Sequence, residues 1–320
     1  MVRGKNAYWL GLLLLMLSGL LVMNGCAVKT SGAVRDDSSL TGISEELAPS
    51  GEYTGPKLRV GVVNFQNKTP SKNIGLGEAA ADILGTILQK TERFIIIPQQ
   101  DVASILEQQS MGASGAIDPA TAAQMGKILG LNAIVTGAIS AYSEAEEGTD
   151  YLVYKKKKQI ARVTVDYRLV DTTTGIQFAA DSGQGVYEKQ TGGALGLGSK
   201  SSYDADLRDG ALRDALTKAM VNMLKQFETQ EWSGRIASIK GRSVYLNAGQ
   251  KTGLKIGDVL TVQELGEEIV DPQTKVVLGR APGSIKGEVI VTGYFGKDGS
   301  VATIRSGTGF KVNDLVKYKK

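Results

Sequence analysis

Residues 163–185 read VTVDYRLVDTTTGIQFAADSGQG. Together with Ala161, the residues Val163, Val165, Tyr167 and Leu169 alternate with Arg162, Thr164, Asp166 and Arg168. This period of two describes a strand with one dry and one wet face. The stretch DTTTG, Asp171 to Gly175, supplies turn residues, and a partner strand begins at Ile176. A β-hairpin therefore sits in the middle of the chain, and the elements on either side have to cover its dry face.

Upstream, LRVGVVNF, Leu58 to Phe65, is a short valine-rich run ended by the polar QNKTPSK, which predicts a buried strand and a loop. Leu76, Ala80, Ile83, Leu84, Ile87 and Leu88 recur at steps of three and four, giving a helix with one apolar face. Phe94 to Ile97 is a second strand stopped by Pro98, and Val102, Ile105 and Leu106 mark a second helix. Asp118-Pro119 opens a third helix that Gly130 closes. NAIVTGAIS, Asn132 to Ser140, reads as a third strand, followed by an acidic loop.

Downstream, Leu207, Ala211, Leu212, Ala215, Leu216, Ala219, Met220, Met223, Leu224 and Phe227 keep a helical period and form a core-facing stripe. The order of elements predicts an α/β domain, a mixed sheet with packed helices, over residues 57–230. Past Glu231 the pattern changes to short strands punctuated by glycine, so residues 231–320 are read as a small all-β barrel or sandwich domain. An internal repeat supports this: TGLKIGDVL, Thr252 to Leu260, returns as TGFKVNDLV, Thr308 to Val316, displaced by 56 residues.

The N-terminus is of another kind. Arg3 and Lys5 precede an apolar or small run from Ala7 to Met23, the pattern of a secretory signal, which assigns residues 1–25 to a signal peptide. The uncharged run extends to Val28, so a permanent spanning anchor is the alternative reading. From Lys29 to Pro56 the chain is rich in Ser, Gly, Thr and acids; residues 26–56 are expected to be a flexible tether spanning roughly 30 Å.

Composition narrows the chemistry. There is one cysteine, Cys26, and no histidine, which removes an internal disulfide, the usual zinc ligand sets and the commonest general base. No catalytic, cofactor-binding or metal-binding residue is assigned, no cofactor is expected, and the chain is read as not an enzyme. The formal charge of +4 falls when Arg3 and Lys5 leave with the signal, so nucleic acid is not an expected partner. GGALGLG, Gly192 to Gly198, lacks the lysine and serine of a phosphate loop and reads as a flexible loop. Glu144, Glu146, Glu147 and Asp150 read as a solvated loop. YKKKK, Tyr154 to Lys158, fits either anionic headgroups or a basic edge that discourages strand pairing. Asn67-Lys68-Thr69 is a formal sequon.

Val22-Met23-Asn24-Gly25-Cys26 resembles the lipobox of bacterial lipoproteins, in which the cysteine is acylated and becomes the first residue of the mature protein. Ala27 rather than Asp after it implies, by that resemblance, the outer membrane, with the protein facing the periplasm. VGVVNFQNKT, ILGLNAIVTGAIS and the opening stretch VTVDYRLVDTTTGIQFAADSGQG together resemble the CsgG family of curli production assembly and transport lipoproteins. The last ninety or so residues resemble the C-terminal domain of flagellar assembly protein T. The first resemblance implies a role in assembly or secretion of an extracellular or envelope structure, a homo-oligomeric ring and protein partners at the envelope. The curli exporter contributes two membrane hairpins per subunit, and these fall at residues 138–160 and 185–206. Neither segment keeps one face apolar for the roughly 9–11 residues a crossing strand needs. A non-pore periplasmic scaffold or binding module, docking on a flagellar basal body or a cell-wall synthase, is the alternative.

Overall fold

The computed structural model describes residues 30–34, 55–71, 75–108, 119–151, 154–194, 205–274 and 277–318. A seven-stranded sheet is built from β1 (Thr30–Val34), β2 (Leu58–Val62), β3 (Gln66–Asn67), β4 (Phe94–Ile97), β5 (Ala133–Tyr151), β6 (Tyr154–Asp171) and β7 (Gln177–Ala194). Its order is β1-β7-β6-β5-β2-β4, with β3 beside β5. β2 runs parallel to β4 and β5, whereas β5, β6, β7 and β1 are antiparallel, so the sheet is mixed as expected.

The alternation in β6 sorts the helices into two layers. Val135 and Leu169, paired in register, join the core under α1 (Leu76–Lys90) and α4 (Ala205–Glu228). Ile134 and Val170, the next pair, face the other way, into a smaller cluster with Val102, Ile105, Ala122 and Met125 of α2 (Gln99–Gln108) and α3 (Pro119–Leu129). Gly130, at φ 67°, ends α3. The long stripe of α4 is buried from Leu207 to Phe227. It lies close on β7 because Gly183 and Gly185 lack side chains: a Cβ at Gly185 would stand 2.1 Å from the carbonyl oxygen of Ala211.

Two expectations are corrected. Residues 144–150 are not a loop; β5 continues through Glu144, Glu146, Glu147 and Asp150 to Tyr151. There the strand is held by β6, where Lys158 stands opposite Glu147 and Lys155 opposite Asp150. The stretch read as tether also contains a strand, since Thr30–Val34 pair with Tyr187 to Thr191 of β7. Of the glycine-rich loop, Gly192 and Gly193 belong to β7, and residues 195–198 lie outside the described residues.

The second domain is a closed six-stranded barrel of β8 (Ser233–Lys240), β9 (Ser243–Leu246), β10 (Val259–Gln263), β13 (Ile285–Phe295), β14 (Gly299–Gly307) and β15 (Leu315–Tyr318). A two-stranded ribbon, β11 (Glu268–Val270) with β12 (Val277–Arg280), stands between its halves. The ring order β10-β13-β14-β9-β8-β15 maps onto itself when β8, β9 and β10 exchange with β13, β14 and β15. The pairs Thr261–Lys317 and Tyr245–Val301, each 56 residues apart, lie where that exchange leaves the pairing unchanged. Both copies interrupt their first hairpin at the same place, between Ile236 and Ser238 and between Val291 and Gly293.

The repeated turns are equivalent in detail. Gly253 and Gly309 have φ of 95° and 76°, and Gly257 and Asn313 have 97° and 72°. The Asp258 carboxylate accepts the Lys255 amide at 2.7 Å, and that of Asp314 accepts the Lys311 amide at 2.7 Å. Each turn is latched to the first strand of the other copy. Gly257 N–H donates to the Val291 carbonyl at 2.8 Å, and Asn313 N–H donates to that of Ile236 at 2.8 Å.

Candidate functional site

Strands β5 and β7 start at the barrel end, at Ala133 and Gln177, where β6 ends at Asp171, and all three run past the helices. Ile160 and Ala161 are fully buried, and Gln159 and Lys158 next to them are half-buried. Beyond them the sheet carries charge: the ammonium of Lys158 lies 3.1 Å from Glu188, and that of Lys189 lies 3.7 Å from Asp206 at the start of α4. Glu144 accepts a bond from the Tyr142 hydroxyl, and Glu144, Glu146 and Glu147 are exposed. Acids of β5 thus run beside lysines of β6, and Glu188 and Lys189 of β7 add further pairs, an arrangement that holds β-structure together outside a core.

At the opposite end, the two domains are clamped. Asn132, just before β5, donates through Nδ2 to the Ser233 carbonyl at 2.6 Å, while its Oδ1 accepts the Arg59 amide at 2.9 Å. The Lys57 amide donates to the Thr252 carbonyl at 2.6 Å. Beside this clamp lies an open groove of about 360 Å³, with Leu58, Phe227 and Leu315 on its apolar side and Asp171, Arg280 and Lys317 on its polar side. Arg280 is occupied by the Gly266 carbonyl and Glu268, and Lys317 by Glu231. Burial, reinforced by Arg280 and opposed by Asp171, lowers the pKa of Arg235.

Cys26, the lipidation site expected from sequence, lies outside the described residues. The sequon asparagine is engaged in its own turn, because Asn67 Oδ1 accepts from the Thr69 amide and hydroxyl and its Nδ2 donates to the Ser71 carbonyl. Among the described residues no group of three His, Cys, Asp or Glu side chains is placed to hold a metal ion. Among them, too, no helix is long and apolar enough to cross a membrane. Sequence reasoning missed β1 and the clamp of Arg59, Asn132 and Thr252. The one local signal for the clamp was the Thr-Gly turn that opens each repeat.

The molecule is thus a three-layer α/β domain with an overlong mixed sheet, clamped to a duplicated barrel. The chain belongs to the CsgG family: the model of the curli production assembly/transport component CsgG matches residues 46–255. That match runs beyond the α/β domain into the first half of the barrel. No curated protein matches the chain. Similar solved structures include lipoprotein GNA1162 from Neisseria meningitidis, at 18% identity and a TM-score of 0.32, covering 52% of this chain and 98% of that one. The LpoB C-terminal domain from Escherichia coli has 14% identity and a TM-score of 0.30, covering 45% and 90%. The PelC dodecamer from Paraburkholderia phytofirmans has 13% identity and a TM-score of 0.26, covering 59% and 96%. At such TM-scores these neighbours bear on neither partner nor mechanism.

Proposed function

We propose that the chain is an outer-membrane lipoprotein, anchored through acyl chains on Cys26 and facing the periplasm, that works as a homo-oligomer in assembly or secretion of an extracellular or envelope structure. The observation that carries this reading is the CsgG-family match over residues 46–255, which follows an apolar leader ending at a single cysteine. Two or more acyl chains hold a protein at a membrane stably where one is marginal. The role is binding and assembly rather than catalysis, in keeping with a chain that has no histidine. Native mass spectrometry of detergent-extracted protein tests it: a ring of many copies is expected, and a strictly monomeric species overturns the oligomer. A Cys26→Ser variant is expected to be released as soluble protein or to stay unprocessed; membrane-bound protein of mature size would refute the anchor.

A second reading is a non-pore scaffold that docks on an envelope machine, such as a flagellar basal body or a cell-wall synthase. It is favoured by the four consecutive lysines Lys155 to Lys158 on β6, because neighbouring positions of a strand point to opposite faces and neither face then stays apolar. The sequence resemblance of the last ninety or so residues to the C-terminal domain of flagellar assembly protein T fits the same reading. Liposomes loaded with the lipidated protein separate the two: saturating ion conductance selects the exporter, and its absence at full incorporation selects the scaffold.

A further inference from the structure

The register of β1 limits how far a lipid on Cys26 can stand from one end of the sheet. Thr30 pairs with Thr191, Thr191 with Lys157, and Lys157 with Gly148, so these four residues stand level across the sheet. β1 is antiparallel to β7, and going back along the chain from Thr30 moves toward Ala194. Ala194 pairs with Tyr154 and Tyr154 with Tyr151, which makes this the free end of the sheet. Cys26 precedes Thr30 by four residues, a covalent reach of at most about 14 Å. From Lys157 to Tyr154 the strand advances only about 10 Å. A lipid on Cys26 therefore cannot stand far from the free end of the sheet.

The residues at that end have the chemistry of a headgroup contact. In the register Lys155 and Lys158 stand opposite Asp150 and Glu147 of β5, whereas Lys156 and Lys157 stand opposite Thr149 and Gly148 on one side and Gly192 and Thr191 on the other. Two positive charges thus lack an acidic residue at their cross-strand positions. Lysines at successive strand positions point to opposite faces, so insertion to the bilayer midplane would carry charge into hydrocarbon on either side. Anionic headgroups are the depth at which such an end comes to rest.

We infer that the end of the sheet formed by Tyr151, Tyr154 and Lys155 to Lys158 is a foot that stands on anionic phospholipid headgroups beside the acylated Cys26. The barrel is then presented about 60 Å away, the length of the 18 residues of β6. This inference rests on the proposed lipidation of Cys26. It replaces a body loosely held by a tether with one held upright, the foot against lipid and the barrel facing away.

Tryptophan fluorescence tests it. Trp9 lies in the leader, so Trp232, buried at the barrel, is the only tryptophan of the mature chain. A Tyr151→Trp variant of the full lipoprotein is reconstituted in phosphatidylethanolamine vesicles with and without phosphatidylglycerol. Some lipids carry a nitroxide on the headgroup, and others carry bromine deep in the chains. The variant is expected to be quenched by the headgroup nitroxide and not by the deep bromine, while the parent protein is quenched by neither. Combining Lys156→Ser with Lys157→Ser should lift the foot by about 25-fold in equilibrium, at about fivefold per lysine near an anionic surface. Quenching by deep bromine, no quenching in the variant, or indifference to both the lysines and phosphatidylglycerol would each overturn the foot. Intact mass of the same sample reads the acyl groups on Cys26 separately: acylated but unquenched protein sinks the foot alone, and quenched but unacylated protein sinks the anchor alone.

Discussion

The guanidinium of Arg59 lies 2.6 Å from the carboxylate of Asp298, bridging β2 of the sheet to the loop between β13 and β14 of the barrel. The same carboxylate accepts the Thr252 hydroxyl at 2.6 Å and the Thr252 amide at 3.1 Å. Both members of the ion pair are mostly shielded from water, so the removal of one leaves the other wanting. An Asp298→Ala variant is expected to lose about 2 kcal/mol, the scale of a hydrogen-bonded charge. In a thermal melt the two domains should then separate into two transitions; a single unshifted transition would show that the clamp contributes nothing.

Tyr167 is buried in the sheet core, and its hydroxyl has no hydrogen-bond partner. Burial first, and the charge of Asp181 second, push its pKa up to about 12. A raised folded pKa contributes stability that is fully present below the unfolded value near pH 10 and is lost as the pH rises through the folded value. Alkaline unfolding between about pH 10 and 12 should therefore be shallower in Tyr167→Phe. At neutral pH that variant should be as stable as the parent or more so, because no bond is removed. Destabilisation at pH 7 by urea titration would contradict this.

In the barrel, the bond from Lys286 and then its charge hold the Glu264 carboxyl below the usual range. Lys286 is itself disfavoured by burial, but bonds to Asp314 at 2.8 Å and to Glu264 outweigh that and raise its pKa. A depressed carboxyl contributes stability above its unfolded pKa near 4.3 and loses it as the pH falls through the lowered folded value. Glu264→Gln should flatten the acid limb of the barrel's stability, lying slightly below the parent at pH 7 to 8 and converging with it at acid pH, where the carboxyl is protonated. Urea melts at both ends of that range check the sign.

The close fit of α4 on β7 gives a steric prediction. In Gly185→Ala the new methyl would press on the Ala211 carbonyl, which is backbone and cannot swing aside. The helix has to lift, at about 1–3 kcal/mol for overpacking. Loss of amide exchange protection along α4 is the readout, and unchanged protection would refute the fit.

Elements that bury a face could be read from their own residues. The alternation around Tyr167 and the stripe from Leu207 to Phe227 each report a dry side, and each forms the element expected. From Ala141 to Glu147 β5 has no buried residue, and Glu147 and Asp150 stand opposite Lys158 and Lys155 of β6, a pairing that local periodicity cannot show. β1 is five residues long and exists through its register with β7. The clamp was hidden for the same reason: Arg59 and Asp298 are 239 residues apart, and nothing near either points to the other. The barrel was legible because its duplication writes the same turn twice.

That duplication has a consequence for how the chain matures. Neither three-stranded half can finish its own turn, since Gly257 needs Val291 and Asn313 needs Ile236. The barrel is in effect a dimer fused in tandem, and its contacts wait for the final strand, β15, before the ring closes. A protein threaded into the periplasm from its N-terminus would complete the α/β domain first and the barrel last. Because Lys57 holds Thr252 of the first half and Arg59 holds Asp298 of the second, domain docking senses both halves at once. Its closure marks the moment when the last of the chain has arrived.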